Sequence, residues 1–355
     1  MRVLVVAGSS GGHIYPAVSF LEILQLKRSD IEPLIVLSRR SKIKPQDFRI
    51  KYIDITPISL RPSVKNLVAL FNFIKGSFQS LFILIEFRPD AVAGFGGIET
   101  VPLVLLAWVF RIKTIIHEQN VVPGKATKLL SYFVDKIAVS FEKTKEILSR
   151  YKEKIVLTGN PIRRQLRRVD NSAALGFLEL DDNKFTILVA GGSLGAQRIN
   201  QCFPESLGAM PDLSAIQVIH ISGQNDFASV QEAYKKLKVK AEVFAFLDQM
   251  QYAYSAASLA VCRAGASTVA ELINFRLPAI LIPYPFAAAH QDHNAAVLKD
   301  AGSAVVIGES GLNPDTLKSA IVDLLQHREK LQLMQSNYHK IPYLDTSDVW
   351  LNIIT

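Results

Sequence analysis

The sequence has little cysteine and no long apolar run, and each absence excludes a class of protein. Its 355 residues include two cysteines, Cys202 and Cys262, which cannot form a disulfide framework and whose spacing suggests no metal site. The longest continuous apolar stretch, Val101 to Phe110, is about half of the roughly 20 residues that a membrane-spanning helix needs. We therefore expect a cytoplasmic protein that is soluble or lies on a membrane without crossing it.

A concentrated basic segment is also missing. The formal net charge of +8 would suit nucleic acid, an anionic lipid surface or phosphate-bearing substrates. No run of lysine and arginine with interleaved stacking aromatics stands out, and the short stretch RRQLRR, residues 163 to 168, lies in an apparent linker. This distribution disfavours nucleic acid as a partner.

Short apolar runs alternate with amphipathic segments along the chain, from RVLVVAG and EPLIVLS to LAVCRAGAS and PAILIPYP. Such alternation predicts βα units and parallel sheets. The pattern begins again after Pro161, with KFTILVAGGSLGA. We therefore predict an α/β protein with two Rossmann-like, doubly wound domains, residues 1–160 and 161–335, facing a cleft, because ligands of open parallel sheets bind beyond the carboxyl ends of the strands.

Each half opens with a strand, a glycine-rich loop and a helix, VVAGSSGGH and LVAGGSLGA. Neither loop has the GxGxxG spacing of a dinucleotide site or the lysine of a P-loop, which disfavours dehydrogenases and ATPases. A helix start presents free amides and partial positive charge, so we expect at least one loop to bind phosphate. Plain tight turns are the alternative, but they leave His13 beside the first loop unexplained.

In the second half, CRAGASTVAEL places Ala266, Ser267 and Thr268 between a strand and a helix that also carries Glu271. A carboxylate there could accept hydrogen bonds from two neighbouring ribose hydroxyls, or it could simply interact with the helix dipole. Further on, Gln291 and Asn294 are three apart and can present two amides on one helix face to a polyhydroxy ligand.

Two further segments leave alternatives open. His117, Glu118 and Asn120 end the strand IIHEQN and could hold a second substrate or cap the next helix. The segment SVKNLVALFNFIKGSFQSLFILIEFRPD could be core or an interfacial helix on anionic lipid. His290 and His293 raise the question of zinc, but a third ligand is not found, so no metal is expected.

The motifs GSSGGH, GFGG, HEQN, GNPIR, GGSLGAQRIN, CRAGASTVAEL and HQDHNA, in this order, resemble the MurG family of peptidoglycan N-acetylglucosaminyltransferases. The resemblance implies a GT-B fold and an inverting transfer of GlcNAc from UDP-GlcNAc to the C4 hydroxyl of lipid I, giving lipid II. It implies no cofactor, in keeping with the missing DxD motif, and a peripheral place on the anionic, cytoplasmic face of the cell membrane. By analogy, residues 336–355 would complete the first domain.

The resemblance also implies roles for individual residues. On the donor side, the diphosphate would meet Arg163 and Ser193, the uracil Leu247, and the ribose Glu271. The sugar and phosphate would meet the region of Ala266, Ser267 and Thr268, with Gln291 and Asn294 on the GlcNAc hydroxyls. On the acceptor side, the family resemblance and the loop chemistry together assign these residues: Ser10, Gly11, Gly12, His117, Glu118 and Asn120. His13 would take the proton from the attacking hydroxyl.

Some positions depart from the family pattern, all of them on the acceptor side. Ile98 and Glu99 follow GFGG, and Pro62 lies in a loop that is usually richer in glycine and lysine. Alternatives therefore include another GT-B transferase that uses a UDP-sugar with a different acceptor. A UDP-GlcNAc epimerase and a non-catalytic nucleotide-sugar binding protein also remain.

Overall fold

The computed structural model describes residues 1–41, 43–45, 47–56, 64–191, 196–285, 290–342 and 346–355. Ser193, the rest of the central GSLG stretch of the second glycine-rich loop, and Pro62 lie outside the described residues. The chain forms two compact units, residues 1–164 with 344–355, and residues 165–343.

The first unit contains these elements: β1 (Arg2–Ala7), α1 (Gly11–Lys27), β2 (Glu32–Ser38), β3 (Ile50–Ile53), α2 (Val64–Phe87), β4 (Ala91–Phe95), α3 (Thr100–Val109), β5 (Lys113–Glu118), α4 (Lys125–Leu130), β6 (Lys136–Val139), α5 (Glu142–Ile147) and β7 (Ile155–Leu157). The second unit contains these: α6 (Asn171–Phe177), β8 (Phe185–Ala190), α7 (Gln197–Gly208), β9 (Ile216–Ile221), α8 (Phe227–Leu237), β10 (Lys240–Phe244), α9 (Met250–Ala256), β11 (Leu259–Cys262), α10 (Ala266–Phe275), β12 (Ala279–Leu281), α11 (His290–Ala301), β13 (Ala304–Val306), α12 (Pro314–Gln326) and α13 (Arg328–Ser336). Helix α14 (Thr346–Ile354) returns to the first unit.

Both sheets are parallel, which confirms the predicted fold class. The order in the first unit is β3-β2-β1-β4-β5-β6-β7, and in the second it is β10-β9-β8-β11-β12-β13. The strand order reverses between β1 and β4 in one sheet and between β8 and β11 in the other. Ligands of doubly wound sheets bind at such switch points. The segments GSSGGH, GFGG and RAGAS therefore follow the strands that flank them.

The strands of the first sheet are buried on both faces, so they read as continuous apolar runs. Leu4 and Val6 of β1 belong to one core cluster, whereas Val3 and Val5 belong to the other. The second cluster includes Trp350 of α14, which is fully buried with its ring centroid 4.9 Å from that of Phe20 on α1. The last helix is thus part of the core of the first unit.

The chain leaves the second unit later than the sequence predicted, after residue 343 rather than 335. A short 3-10 helix, Asn337–Lys340, explains the difference. The hydroxyl of Tyr338 donates to the carbonyl of Leu277 at 2.5 Å, and the Asn337 amide donates to the carbonyl of Gly302 at 3.0 Å. These bonds hold residues 337–340 on the second unit.

Helix α2 is more apolar than its neighbours on both of its faces. Within the described residues, Asn66–Phe87 is long and apolar enough to cross a membrane by length and composition, and 28% of its test window is buried. One side of α2 packs closely on the segment before it, because a Cβ at Gly76 would lie 3.0 Å from the carbonyl oxygen of Asp54. The other side carries an exposed apolar stripe: Leu67, Phe71, Ile74, Phe78, Phe82 and Ile85.

Candidate functional site

The first glycine-rich loop ends in the start of α1. Ser10 has an extended backbone, and its carbonyl accepts hydrogen bonds from the amides of His13 and Ile14, each at 3.0 Å. Gly11 and Gly12 are the first two residues of the helix, so their amides point out of its first turn. The loop therefore offers backbone donors and the positive end of a helix dipole beside His13.

The imidazole of His13 is held in a cradle of backbone. Its Nδ1 lies 3.2 Å from the hydroxyl of Ser10. Glycines flank the ring because a Cβ at Gly8 would collide with Nδ1, and a Cβ at Gly96 would lie 2.7 Å from Nε2. Burial lowers the pKa of His13 to about 4. The ring is therefore neutral at neutral pH and carries a lone pair that can accept a proton.

The HEQN segment forms a closed network at the end of β5. His117 is 1% exposed, and its Nε2 lies 3.2 Å from the carbonyl of Gly159. The side-chain amide of Gln119 lies 3.1 Å from His117 Nδ1. Burial lowers the pKa of His117 to about 3. His117 is thus a neutral, hydrogen-bonded core side chain in this structure.

Glu118 is used by the protein's own backbone. Its carboxylate accepts from the amide of Asn120 at 3.0 Å and from the amide of Gly124, which precedes α4, at 2.9 Å. The side chain of Asn120 also donates to Glu118, at 3.3 Å, and remains partly exposed. These bonds match the capping network that the sequence left open, and a role for either residue with the acceptor stays a prediction.

The start of α10 gathers the predicted phosphate contacts. Ala266, Ser267 and Thr268 are its first three residues. The hydroxyl oxygen of Ser267 is buried and has no hydrogen-bond partner in the part of the chain that the structure describes. A buried polar atom without a partner is costly, so this hydroxyl is suited to a ligand.

Glu271 is the sixth residue of α10 and therefore lies on its second turn. The helix dipole acts mainly within the first turn, so interaction with the dipole does not explain this carboxylate. Its Oε2 accepts a hydrogen bond from the hydroxyl of Tyr254 at 2.6 Å, and the side chain is partly exposed. A role with ribose stays a prediction.

Gln291 and Asn294 share one face of α11, as their spacing predicted, and both bond to Ala264. The Gln291 carbonyl oxygen accepts from the amides of Ala264 at 3.2 Å and Tyr284 at 2.9 Å. Asn294 is fully buried and donates to the Ala264 carbonyl at 3.2 Å. In this structure the two amides fix the end of β11, and contacts with GlcNAc hydroxyls stay a prediction.

The remaining predicted donor residues lie in different places. The guanidinium of Arg163 stands over the ring of Tyr15 on α1, 5.3 Å from its centroid, within the first unit. Leu247 is partly buried in the loop that leads from β10 to α9. His290 has a buried Nδ1 without a partner among the described residues, and no group of three or more His, Cys, Asp or Glu occurs there that could hold a metal.

Sequence reasoning missed several residues that shape these sites. Arg263, directly after β11, is 8% exposed, forms an ion pair with Glu309 and donates to the carbonyl of Ile282 at 3.1 Å. Arg263 stood in the quoted motif CRAG, but its charge could not be assigned to a partner 46 residues away. Gly8, Gly96 and Tyr254 were missed because their contacts depend on tertiary packing.

The fold and the two helix starts define a class, and family comparisons agree with it. The glycosyltransferase family 28 N-terminal domain matches residues 3–139, and the family 28 C-terminal domain matches residues 186–345. The protein is thus of the family 28 glycosyltransferase class, with a GT-B fold.

Relatives define the particular family. The UDP-N-acetylglucosamine--N-acetylmuramyl-(pentapeptide) pyrophosphoryl-undecaprenol N-acetylglucosamine transferase of Desulforamulus reducens is 36% identical, with 96% of this chain and 94% of the relative covered. That of Halothermothrix orenii is 35% identical, with 100% and 98% covered. The chain belongs to this family of transferases, the MurG family.

Solved structures agree. Acinetobacter baumannii MurG is 27% identical, with a TM-score of 0.78 and coverage of 100% of this chain and 99% of that one. The UDP complex of S. aureus MnaA is 15% identical, with a TM-score of 0.68 and coverage of 99% and 95%, and shows the fold alone.

Proposed function

We propose that this protein transfers GlcNAc from UDP-GlcNAc to the C4 hydroxyl of MurNAc in lipid I, producing lipid II for peptidoglycan synthesis. The names of its relatives describe this chemistry. The observation that carries the proposal is the neutral imidazole of His13, buried beside the amides of a helix start at a switch point of the first sheet. A base next to an anion site suits an alcohol acceptor that carries a diphosphate.

On the acceptor side, the amides of Gly11 and Gly12 would receive the lipid diphosphate, since a helix start favours phosphate. His13 would accept the proton as the C4 oxygen bonds to the anomeric carbon of the donor. The bond from that carbon to UDP breaks in the same displacement, so the α linkage of the donor becomes β. A positioned base of this kind contributes roughly 100- to 10,000-fold to the rate.

On the donor side, the leaving UDP gains negative charge, and the start of α10 would stabilise it without a metal. The buried hydroxyl of Ser267, which has no partner within the described residues, supports a phosphate contact there. Glu271, one turn further along, would accept from the ribose hydroxyls. Amides that already point at the developing charge need little reorganisation during the reaction.

A membrane contact is supported by a surface that we call the apolar stripe surface. It comprises the exposed stripe of α2, with Trp108, Val109 and Phe110 at the end of α3 and Leu129 on α4. Cations adjoin it, because Arg111 follows α3 and Lys125 and Lys128 lie on α4, all exposed and without an ion pair in the described ranges. Apolar groups with neighbouring cations favour anionic lipid.

The same surface favours lying on the bilayer over crossing it. The buried side of α2 includes Ile83, Leu84 and Phe87 of the core, and Gly76 packs against the preceding segment. Spanning would require removing that side from the domain. We therefore propose a peripheral protein on the cytoplasmic face of the membrane, with the acceptor lipid in the same leaflet.

The decisive experiment mixes the purified protein, radiolabelled UDP-GlcNAc and a lipid I analogue, and measures the disaccharide lipid and free UDP. Equal amounts of the two products are expected. UDP release without transfer would contradict the acceptor assignment. Conversion of UDP-GlcNAc alone into an epimer would favour epimerase activity, and binding without any turnover would favour a nucleotide-sugar binding protein.

A further inference from the structure

One tyrosine makes two contacts with the helix that carries Glu271. Tyr254 lies on α9 and is 5% exposed. Its hydroxyl donates to Glu271 Oε2 at 2.6 Å, and its ring stacks on Phe275 with centroids 5.0 Å apart and an interplanar angle of 25°. Glu271 and Phe275 are four residues apart, so both contacts lie on one face of α10. The stacking fixes the ring, and the ring fixes the hydroxyl.

The hydrogen bond restricts a side chain that otherwise rotates freely. A carboxylate that accepts from two neighbouring hydroxyls must hold its plane in one orientation, and a glutamate loses rotamer freedom when it does so. An O–H donor to one carboxylate oxygen forms a strong, charge-assisted bond that removes much of this freedom before a ligand arrives. Preorganisation of this kind raises affinity without any contact between the donor and the ligand.

The place of Tyr254 in the chain adds a second connection. Helix α9 follows directly on the loop that contains Leu247, which the proposed function assigns to uracil. The helix that carries Tyr254 therefore begins next to the uracil residue, and Tyr254 bonds to the ribose residue. Packing between α9 and α10 is the link that keeps these two residues in register.

We propose that Tyr254 is a positioning residue for the uridine nucleotide: it orients the Glu271 carboxylate for the ribose hydroxyls. The proposal rests on the proposed function, in which Glu271 meets the ribose of UDP-GlcNAc. Tyr254 itself does not touch the substrate. Its hydroxyl acts only through Glu271, which makes the effect separable from that of a packing residue.

The test is Tyr254→Phe, which keeps the stacked ring and removes the hydroxyl. The KM for UDP-GlcNAc should rise roughly tenfold, because the lost bond involves a charged group, while kcat at saturating donor stays within about twofold. The donor 2′-deoxy-UDP-GlcNAc gives a sharper readout. The wild type should discriminate against it through KM, and the variant should lose most of this discrimination.

Two matched variants control for the loss of a tyrosine hydroxyl. Tyr338→Phe removes another buried hydroxyl close to α10, the one that donates to Leu277. Tyr252→Phe changes a tyrosine on the same helix α9, whose ring stacks on Phe177 with centroids 4.0 Å apart. Both should keep the wild-type ratio of KM values for the two donors, whatever they do to thermal stability.

A double-mutant comparison tests whether Tyr254 acts through Glu271. Adding Tyr254→Phe to Glu271→Ala should change the dissociation constant of UDP less than twofold. Independent, multiplicative effects would overturn the proposal, as would an unchanged ratio of KM values in Tyr254→Phe. If the wild type binds no UDP-GlcNAc at all, the proposed function itself fails, which is a different result.

Discussion

The imidazole of His13 packs against the backbone of Gly96 so closely that a Cβ at Gly96 would lie 2.7 Å from His13 Nε2. The two residues come from different loops, after β1 and within β4–α3, and the switch point of the sheet brings the loops together. Gly96 also has a φ of +66°, which other residues adopt only with strain. The orientation of the proposed base therefore depends on a glycine 83 residues away.

Gly96→Ala should displace the His13 ring and strain the loop. We expect a loss of about 1–3 kcal/mol in the free energy of unfolding and a fall in kcat of at least tenfold. Urea unfolding and transfer assays measure these effects. Gly176→Ala is the matched control, because Gly176 is an exposed glycine in α6 with nothing within 4 Å of an added Cβ. Wild-type turnover in Gly96→Ala would contradict the cradle.

His13→Ala should lower kcat by roughly 100- to 10,000-fold, because it removes the proposed base. The affinity for UDP, measured by titration calorimetry, should stay within about threefold, since His13 and the predicted uridine contacts belong to different units. His327→Ala, at an exposed histidine of the second unit, should leave both quantities unchanged. Loss of UDP binding in His13→Ala would contradict the assignment of His13 to the acceptor.

The pH dependence of kcat/KM should be flat across the usual range of histidine. Burial lowers the pKa of His13 to about 4, so the base stays unprotonated above that value and is lost only as the pH falls through it. We expect less than a twofold change between pH 7.5 and 5.5, measured with buffers of constant ionic strength. A fall centred near pH 6.5 would show that the base has an ordinary histidine pKa.

Acid should destabilise the protein through its buried neutral histidines. Burial lowers the pKa of His220 to about 3, and its ring nitrogens lie 2.7 Å from the Tyr234 hydroxyl and 3.0 Å from Asn200 Oδ1. The unfolded chain takes up the proton near pH 6.5 while the folded chain does not, so stability is full above that pH and falls as the pH drops towards 3. The slope is up to about 1.4 kcal/mol per pH unit for each such histidine.

Urea unfolding of the wild type and of His220→Gln between pH 7.5 and 5 measures this contribution. The variant should lose about one histidine's share of the slope in the lower half of that range. His327→Gln, at an exposed site, should keep the wild-type slope. An identical slope in wild type and His220→Gln would show that His220 does not titrate as its burial implies.

The apolar stripe surface predicts binding to anionic vesicles. Phe78 and Phe82 are 61% and 67% exposed, and burial of one phenylalanine side chain is worth about 1.5–3 kcal/mol. Phe78→Ser with Phe82→Ser should therefore weaken co-sedimentation with phosphatidylglycerol vesicles by at least about tenfold, without loss of the folded state. Leu333→Ser, an exposed apolar residue of the second unit, should have no effect. Unchanged sedimentation of the double variant would exclude α2 as the lipid contact.

The sequence predicted the long central strands well, and it missed the short ones at the edges. The predicted strands that begin RVLVVAG and KFTILVA occur as β1 and β8, since central parallel strands are buried on both faces and appear as apolar runs. In contrast, β3, β7 and β13 have only three or four residues. Such segments become strands because a neighbour offers hydrogen bonds, and that information is not local.

For the site, the sequence by itself determined the residue types and their local setting: a histidine after a glycine-rich loop, hydroxyls at the start of α10, and two amides on one face of α11. Local chemistry and helical spacing are written in consecutive residues. Only the tertiary structure decided what these groups bond to, including Gly96 beside His13, Tyr254 on Glu271 and Ala264 between Gln291 and Asn294. These contacts join residues between 17 and 83 positions apart, except at α11, and depend on how strands and helices pack. The cleft predicted from the sequence stays a prediction.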